Sequence, residues 1–375
     1  MKISPFKLER YFARHEFNVD YTLCSSDCES LTIEDLLALE PDAGDRFRQH
    51  WLGYTESPGS PSLRREICGL YRTIAPEQVL VHAGAEEAIF LFMHATLDVD
   101  AHAIVQWPCY QSLTEVARST GCQVTLWQAR EENGWAPDVD ELQRLIRPNT
   151  RAIVINTPHN PTGYHMPREV LQEVSDIAQA SGIILFCDEV YRESEYRIAD
   201  RLPTACDLGE HAVSLGVMSK TYGLAGLRIG WIATRNATVY ANMASLKDYT
   251  TICNSAPSEF LAELALRHRE ALAARNVGII TSNLAVLDEF FDTYGHRFVW
   301  QRPKAGPIGF PRLVGANADI ETFCEAVVRE ASVLLLPGTV YEHEGNHFRV
   351  GFGRKNLPEA VARLEEFLHR HRFGD

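Results

Sequence analysis

The sequence predicts an α/β protein: a large, mostly parallel sheet flanked by helices, followed by a smaller α+β part. Three observations carry this. Short apolar runs alternate with helix-period segments from Val79 to Thr234, the rhythm of repeated βα units. After Pro257 that rhythm gives way to a long helical stretch and then to shorter strands. At 375 residues the chain is also long for one core, so two domains are the natural expectation.

Taken in order, the strand candidates are Val79–His82, Ala103–Trp107, Gln123–Trp127, Ala152–Asn156, Ile183–Cys187, Val213–Val217 and Trp231–Thr234. Helical patterns fill Ser62–Thr73, Glu86–Thr96, Ser112–Thr120, Val139–Ile146 and Arg168–Ser181. One long helix is expected from Ser258 to about Thr293. Strands follow near Phe298–Gln301, Gly309–Leu313 and Phe348–Phe352, with helices at Ile320–Ala331 and Pro358–His371. The expected division is an N-terminal arm over 1–45 that joins the small domain, a large domain over 46–257, and a linking helix with the small domain over 258–375.

Composition narrows the function. The formal charge of −14 argues against nucleic acid or an anionic membrane as partner. No apolar run approaches the roughly 20 residues of a membrane helix, and the mixed, charged start from Met1 to Arg14 does not read as a signal peptide. Of nine cysteines, Cys24 and Cys28 lie four apart, but no second pair completes a zinc site, so no metal is expected. They read as reduced packing residues in a cytoplasmic protein.

The chemistry concentrates where strands end. Lys220 follows the apolar run Val213 to Met218 and precedes the glycine-rich Thr221-Tyr222-Gly223-Leu224-Ala225-Gly226-Leu227-Arg228-Ile229-Gly230. Lysine is costly to bury, and a desolvated amine is suited to Schiff-base chemistry. The run Ile183 to Cys187 leads into Asp188-Glu189-Val190-Tyr191, and Ala152 to Asn156 leads into Thr157-Pro158-His159-Asn160-Pro161-Thr162-Gly163. Three strand ends thus offer an amide, a carboxylate and an amine to one crevice, where α/β sheets bind ligands.

In this order and at these separations, the Asn-Pro-Thr-Gly turn, the Asp-Glu-Val-Tyr segment and Ser-Lys with its Gly-x-Arg-x-Gly resemble the aspartate-aminotransferase superfamily. These are pyridoxal-phosphate (PLP) enzymes of fold type I, and the resemblance runs from about Tyr54 to the C-terminus. It implies that 46–257 is the PLP-binding domain, with Lys220 as the Schiff-base lysine and Asp188 as counter-carboxylate to the pyridine nitrogen. Tyr191 and Asn160 would hydrogen-bond the ring's phenolic oxygen. Gly84, Ala85 and Glu86, opening a helix, would cradle the phosphate with Ser219 and Arg228; Glu86 reads equally as a first-turn carboxylate serving the helix dipole. Tyr110 would stack on the ring, with Trp107 as its competitor.

Arg349 matches the superfamily's carboxylate-binding arginine, assisted by Asn160. Tyr54 resembles the tyrosine that reaches a neighbouring subunit's phosphate, which implies a homodimer with shared sites; the alternative is a tyrosine anchoring its own loop. There are departures. Val217 stands where many relatives carry a phosphate-binding serine, and Leu23-Cys24-Ser25-Ser26-Asp27-Cys28-Glu29 replaces a common pocket-lining segment. Asp27 and Glu29 either receive a cationic substrate side chain or act as solvated loop acids and caps for a helix near Thr32. The implied activity is transamination between an amino acid and an α-keto acid; the alternative is a PLP lyase, cyclase or oxidase acting on an amino acid, arginine-like if those acids serve the substrate.

Overall fold

The computed structural model describes residues 2–315, 319–371 and 373. Its centre is a sheet of seven strands: β1 Val79–His82, β2 His102–Trp107, β3 Gln123–Gln128, β4 Thr150–Asn156, β5 Ile184–Asp188, β6 Ala212–Val217 and β7 Gly230–Thr234. Their spatial order is β1-β7-β6-β5-β4-β2-β3. β3, β2, β4, β5 and β6 run parallel, whereas β7 is antiparallel to both β6 and β1. The central strands are apolar along their whole length because helices cover both faces. One layer packs Phe92, Met93 and Met243 against Val105, Phe186 and Leu215; the other packs Leu171, Val174 and Ala178 against Ile153, Ile155 and Leu185.

In the large sheet the strands fall within a residue or two of the expected ranges. The single strand expected over Gly309–Leu313 is two, Ile308–Gly309 and Arg312–Leu313, in separate sheets, and Leu336–Pro337 was not expected. The helices differ more. The helix expected over Ser62–Thr73 spans Pro61–Cys68, since Gly69 caps it and the Arg72 and Thr73 N–H groups turn to the Asp207 carboxylate. The single long helix expected after Pro257 is two, Ala256–Arg267 and Arg269–Thr293. His268 leaves helical geometry (φ −109°, ψ 18°) where it and Arg267 both reach Glu40. Helices Lys7–His15 and Ala237–Lys247 were not expected. The helix near Thr32 exists over Ile33–Leu37, but its capping box uses Thr32 and Asp35 rather than Asp27 or Glu29.

Beyond the long helix lie β8 Phe298–Val299, β9 Ile308–Gly309, β10 Arg312–Leu313, β11 Leu336–Pro337 and β12 Phe348–Gly351. β12 sits between β11 and β9, both antiparallel to it. The N-terminal segment runs beside β12: Gly351 N–H donates to the Leu23 carbonyl at 2.9 Å, and Glu29 N–H to the Gly353 carbonyl at 2.8 Å. Gly351 permits this, because a Cβ there would stand 1.8 Å from the Ser25 carbonyl oxygen. Leu23 and Cys28 accordingly join the apolar core of Leu284, Phe290, Phe323, Phe348 and Phe367.

Candidate active site

Parallel register brings the three strand ends together. Asn156 lies opposite Asp188, and Asp188 opposite Leu215, so the turns after β4, β5 and β6 open side by side. Between them and the N-terminal segment is a cavity of about 440 Å³, the size class of small-molecule sites. Lys220, Asp188, Tyr191, Asn160, Ser219, Arg228, Ala85, Glu86, Tyr110, Arg349 and Asp27 all line it. Gly84, Glu29 and Tyr54 do not.

Lys220 Nζ donates to Ser26 Oγ at 2.9 Å and stands 5.9 Å from the centre of the Tyr191 ring. Burial lowers its pKa; Asp27 and Asp188 oppose that shift and Arg349 adds to it. Asp188 is 5% exposed and accepts the Val190 N–H at 3.2 Å. Burial pushes its carboxyl up to about 7, against the Val190 N–H and Lys220, which favour the anion. The native state therefore holds this proton more tightly than the unfolded chain. The contribution of Asp188 to the stability of the cofactor-free protein is expected to fall as pH rises from about 4 to about 7, as the anion comes to be buried. A cation beside Asp188 reverses that cost. Melting curves with and without cofactor across this range should show stabilisation by cofactor growing with pH.

The turn after β1 is built around Gly84, whose φ of 87° and ψ of 176° suit glycine. A Cβ there would lie 2.5 Å from Arg228 Nη2, so Arg228 rests directly on the turn. Its Nη1 lies 3.5 Å from Ser219 Oγ. Glu87, one residue beyond the expected set, fixes the turn from behind. Its carboxylate accepts the Ala83 N–H at 2.6 Å and the hydroxyls of Thr250 and Thr251 at 2.5 and 2.8 Å. The start of helix Ala85–Thr96, Arg228 and Ser219 thus form a cradle suited to a dianion. Glu86 takes the Ser112 hydroxyl on Oε1, while Oε2 is buried without a partner. Burial raises its pKa, so it is a poor helix-dipole anion and a better cavity acid.

Tyr110 faces the cavity and packs against Phe6, ring centres 5.2 Å apart; Trp107 turns away toward His343. The Tyr191 hydroxyl is buried beside Ser26 without a well-aligned hydrogen bond. On β12, Arg349 is 1% exposed. Its Nε donates to the Cys24 carbonyl at 2.9 Å, and its Nη1 to Tyr341 Oη at 2.6 Å and Asn160 Oδ1 at 3.3 Å.

Two expected substrate acids need correction. Asp27 lines the cavity, but both its oxygens are taken by Arg354, at 3.1 and 2.9 Å. Glu29 points elsewhere and accepts the Lys355 N–H at 2.9 Å, since the extended segment turns it toward the chain after β12. Sequence reading missed Ser26, Tyr341 and Arg354, and also Glu9 and Glu16. These last two reach the cavity from helix Lys7–His15 and the turn after it. An amphipathic stripe holding Leu8 and Tyr11 was the available signal for that helix.

The residues present fit PLP. A buried carboxylate hydrogen-bonded by no cation suits a pyridinium, an unengaged phenol suits the ring oxygen, and the glycine turn with Arg228 suits the phosphate. The family model for class I and II aminotransferases matches residues 20–364. The chain belongs to this family. Like its members, this aminotransferase is a transferase that uses pyridoxal 5′-phosphate. It superposes on a PLP-dependent aminotransferase from Streptococcus suis with a TM-score of 0.93 and 33% identity, covering 100% of both chains. It is 28% identical to the capreomycidine synthase of Streptomyces vinaceus, across 98% of this chain and 94% of that protein. It is 29% identical to an aspartate aminotransferase of Pyrococcus horikoshii, across 90% and 91%.

Proposed function

We propose that this aminotransferase exchanges an amino group between an L-amino acid with a basic side chain and an α-keto acid, with Lys220 holding the cofactor covalently. The observation that supports the general reading is the juxtaposition of Lys220, Asp188, the Gly84 turn and Arg349 around one cavity. When bound, PLP supplies an aldehyde for amine exchange and a ring that takes up electrons from Cα. Asp188 keeps the ring nitrogen protonated. Arg349 binds the substrate carboxylate, and Tyr110 covers the ring. Lys220 would hold and move the proton at Cα, and the Ser26 hydroxyl, which accepts from its amine at 2.9 Å, would orient it.

The basic side chain follows from charges left over. With Arg228 assigned to phosphate, Arg349 to carboxylate and Arg354 to Asp27, the acids Glu9, Glu16 and Glu86 remain without a hydrogen-bonded basic partner among the described residues. Burial raises the pKa of Glu16 and Glu86, with Glu9 adding to both. A guanidinium or ammonium group would relieve them.

Tyr54 is 84% exposed and lies beside Trp51 and Leu52, themselves 76% and 77% exposed. This apolar edge suits a second copy, with Tyr54 reaching the neighbour's phosphate. The nine unpaired cysteines suit a reducing cytoplasm.

A second reading is favoured by the likeness to a solved PLP-dependent cyclase (TM-score 0.90, 28% identity): ring closure on a basic amino acid with the same lysine, without a keto acid. One spectral screen separates them. The holoenzyme is mixed with each common amino acid and ornithine, with and without pyruvate or 2-oxoglutarate. Transamination predicts bleaching by a basic amino acid and recovery only with keto acid. Turnover without keto acid supports the second reading, and no response to any basic amino acid contradicts the substrate proposed.

A further inference from the structure

Tyr341 belongs to none of the motifs that carry the family resemblance, yet its phenol is 4% exposed and lies between the two groups assigned to the substrate carboxylate. Arg349 Nη1 donates to its oxygen at 2.6 Å, and its hydroxyl donates to Asn160 Oδ1 at 3.1 Å. Arginine has no acceptor, so the Asn160 oxygen must face Arg349 and Tyr341. That leaves the Asn160 amide nitrogen on the cavity side. The same accounting applies to the guanidinium. Nε is taken by the Cys24 carbonyl and Nη1 by Tyr341 and Asn160, so Nη2 keeps its donors for a ligand.

We propose that Tyr341 is a positioning residue for the substrate's α-carboxylate: its bridging hydroxyl fixes Asn160 and Arg349 so that the Asn160 amide nitrogen and Arg349 Nη2 present their N–H groups to the cavity. The bridge needs a hydroxyl that is donor and acceptor at once. Burial pushes the Tyr341 pKa up to about 12, partly offset by Arg349, so the proton stays in place at neutral pH. Phenylalanine would keep the ring that meets Phe310 edge-on at 6.0 Å, but it would break both links.

The inference rests on Arg349 being the carboxylate site, and the test separates the two. In the holoenzyme, Tyr341→Phe should raise KM for the amino donor, and the Kd of its unreactive α-methyl analogue, roughly 10- to 100-fold. Saturated kcat and PLP affinity, read by fluorescence titration of the cofactor-free protein, should stay within about threefold. In a double-mutant cycle with Asn160→Ala, the two effects on Kd should be clearly less than additive. If Tyr341→Phe does not fold, Tyr341→His, which retains a donor, should show the same split with a smaller rise. Unchanged KM and Kd, or an equal loss of PLP affinity, would overturn the role of Tyr341. If Arg349→Ala also left Kd unchanged, the carboxylate site itself would be wrong.

Discussion

Lys220→Ala is expected to leave a folded protein that binds PLP weakly, has no covalent linkage to it and loses transamination by roughly 10⁴-fold or more. Two contributions vanish at once: the amine that anchors the aldehyde and the base that moves the Cα proton. Proton transfer by a placed side chain alone contributes about 10²- to 10⁴-fold. The substitution should not unfold the protein. Among the described residues, Lys220 makes one side-chain hydrogen bond, to Ser26, and it sits at an open cavity rather than in a packed core. Single-turnover absorbance and a melting curve check both halves. A variant that unfolds would point to a structural lysine instead.

Arg349→Ala carries the second large effect, on a different parameter. The guanidinium is buried and held by three neutral partners through Nε and Nη1, and losing the charge pair proposed between it and the substrate carboxylate would cost about 2–5 kcal/mol. Apparent KM for the amino acid should rise by roughly 30-fold or more, while PLP dissociation changes little, because the phosphate cradle proposed at Gly84 and Arg228 does not include Arg349. Steady-state kinetics beside a cofactor titration make the comparison. Equal losses in both would show that Arg349 serves the cofactor instead.

The sheet was legible in sequence for a physical reason. Strands buried on both faces must be apolar throughout, so Ala152–Asn156 and Val213–Val217 announce themselves, and parallel register then places Asn156, Asp188 and Lys220 at one edge. Glycine positions were legible too, since the turn at Gly84 tolerates little else. What escaped depends on partners distant in the chain. The fate of Asp27 is set by Arg354, 327 residues away, and nothing local distinguishes a free loop acid from a paired one. Tyr341 owes its place to Asn160, 181 residues earlier. Glu9 and Glu16 enter the site because their helix is docked by distant partners: the Tyr11 hydroxyl donates to the Leu335 carbonyl at 3.0 Å and the Lys7 N–H to Gln111 Oε1 at 2.8 Å.

The acids around the cavity therefore change meaning between sequence and structure. Asp27, the natural candidate by position, is neutralised within the protein, whereas Glu9 and Glu16, from the first helix and its end, and Glu86, from the helix after β1, all line the cavity. With Arg349 as the proposed carboxylate site, a cavity that is also lined by these acids would have the polarity of a receptor for a basic amino acid.

The covalent bond proposed between Lys220 and the cofactor bears on every step proposed. Borohydride reduction of the holoenzyme, followed by digestion and peptide mass mapping, tests it directly. The expected result is one modified peptide, with the pyridoxyl mass on Lys220. Modification of another lysine, or of none in a protein that binds PLP, would contradict the assignment of the site.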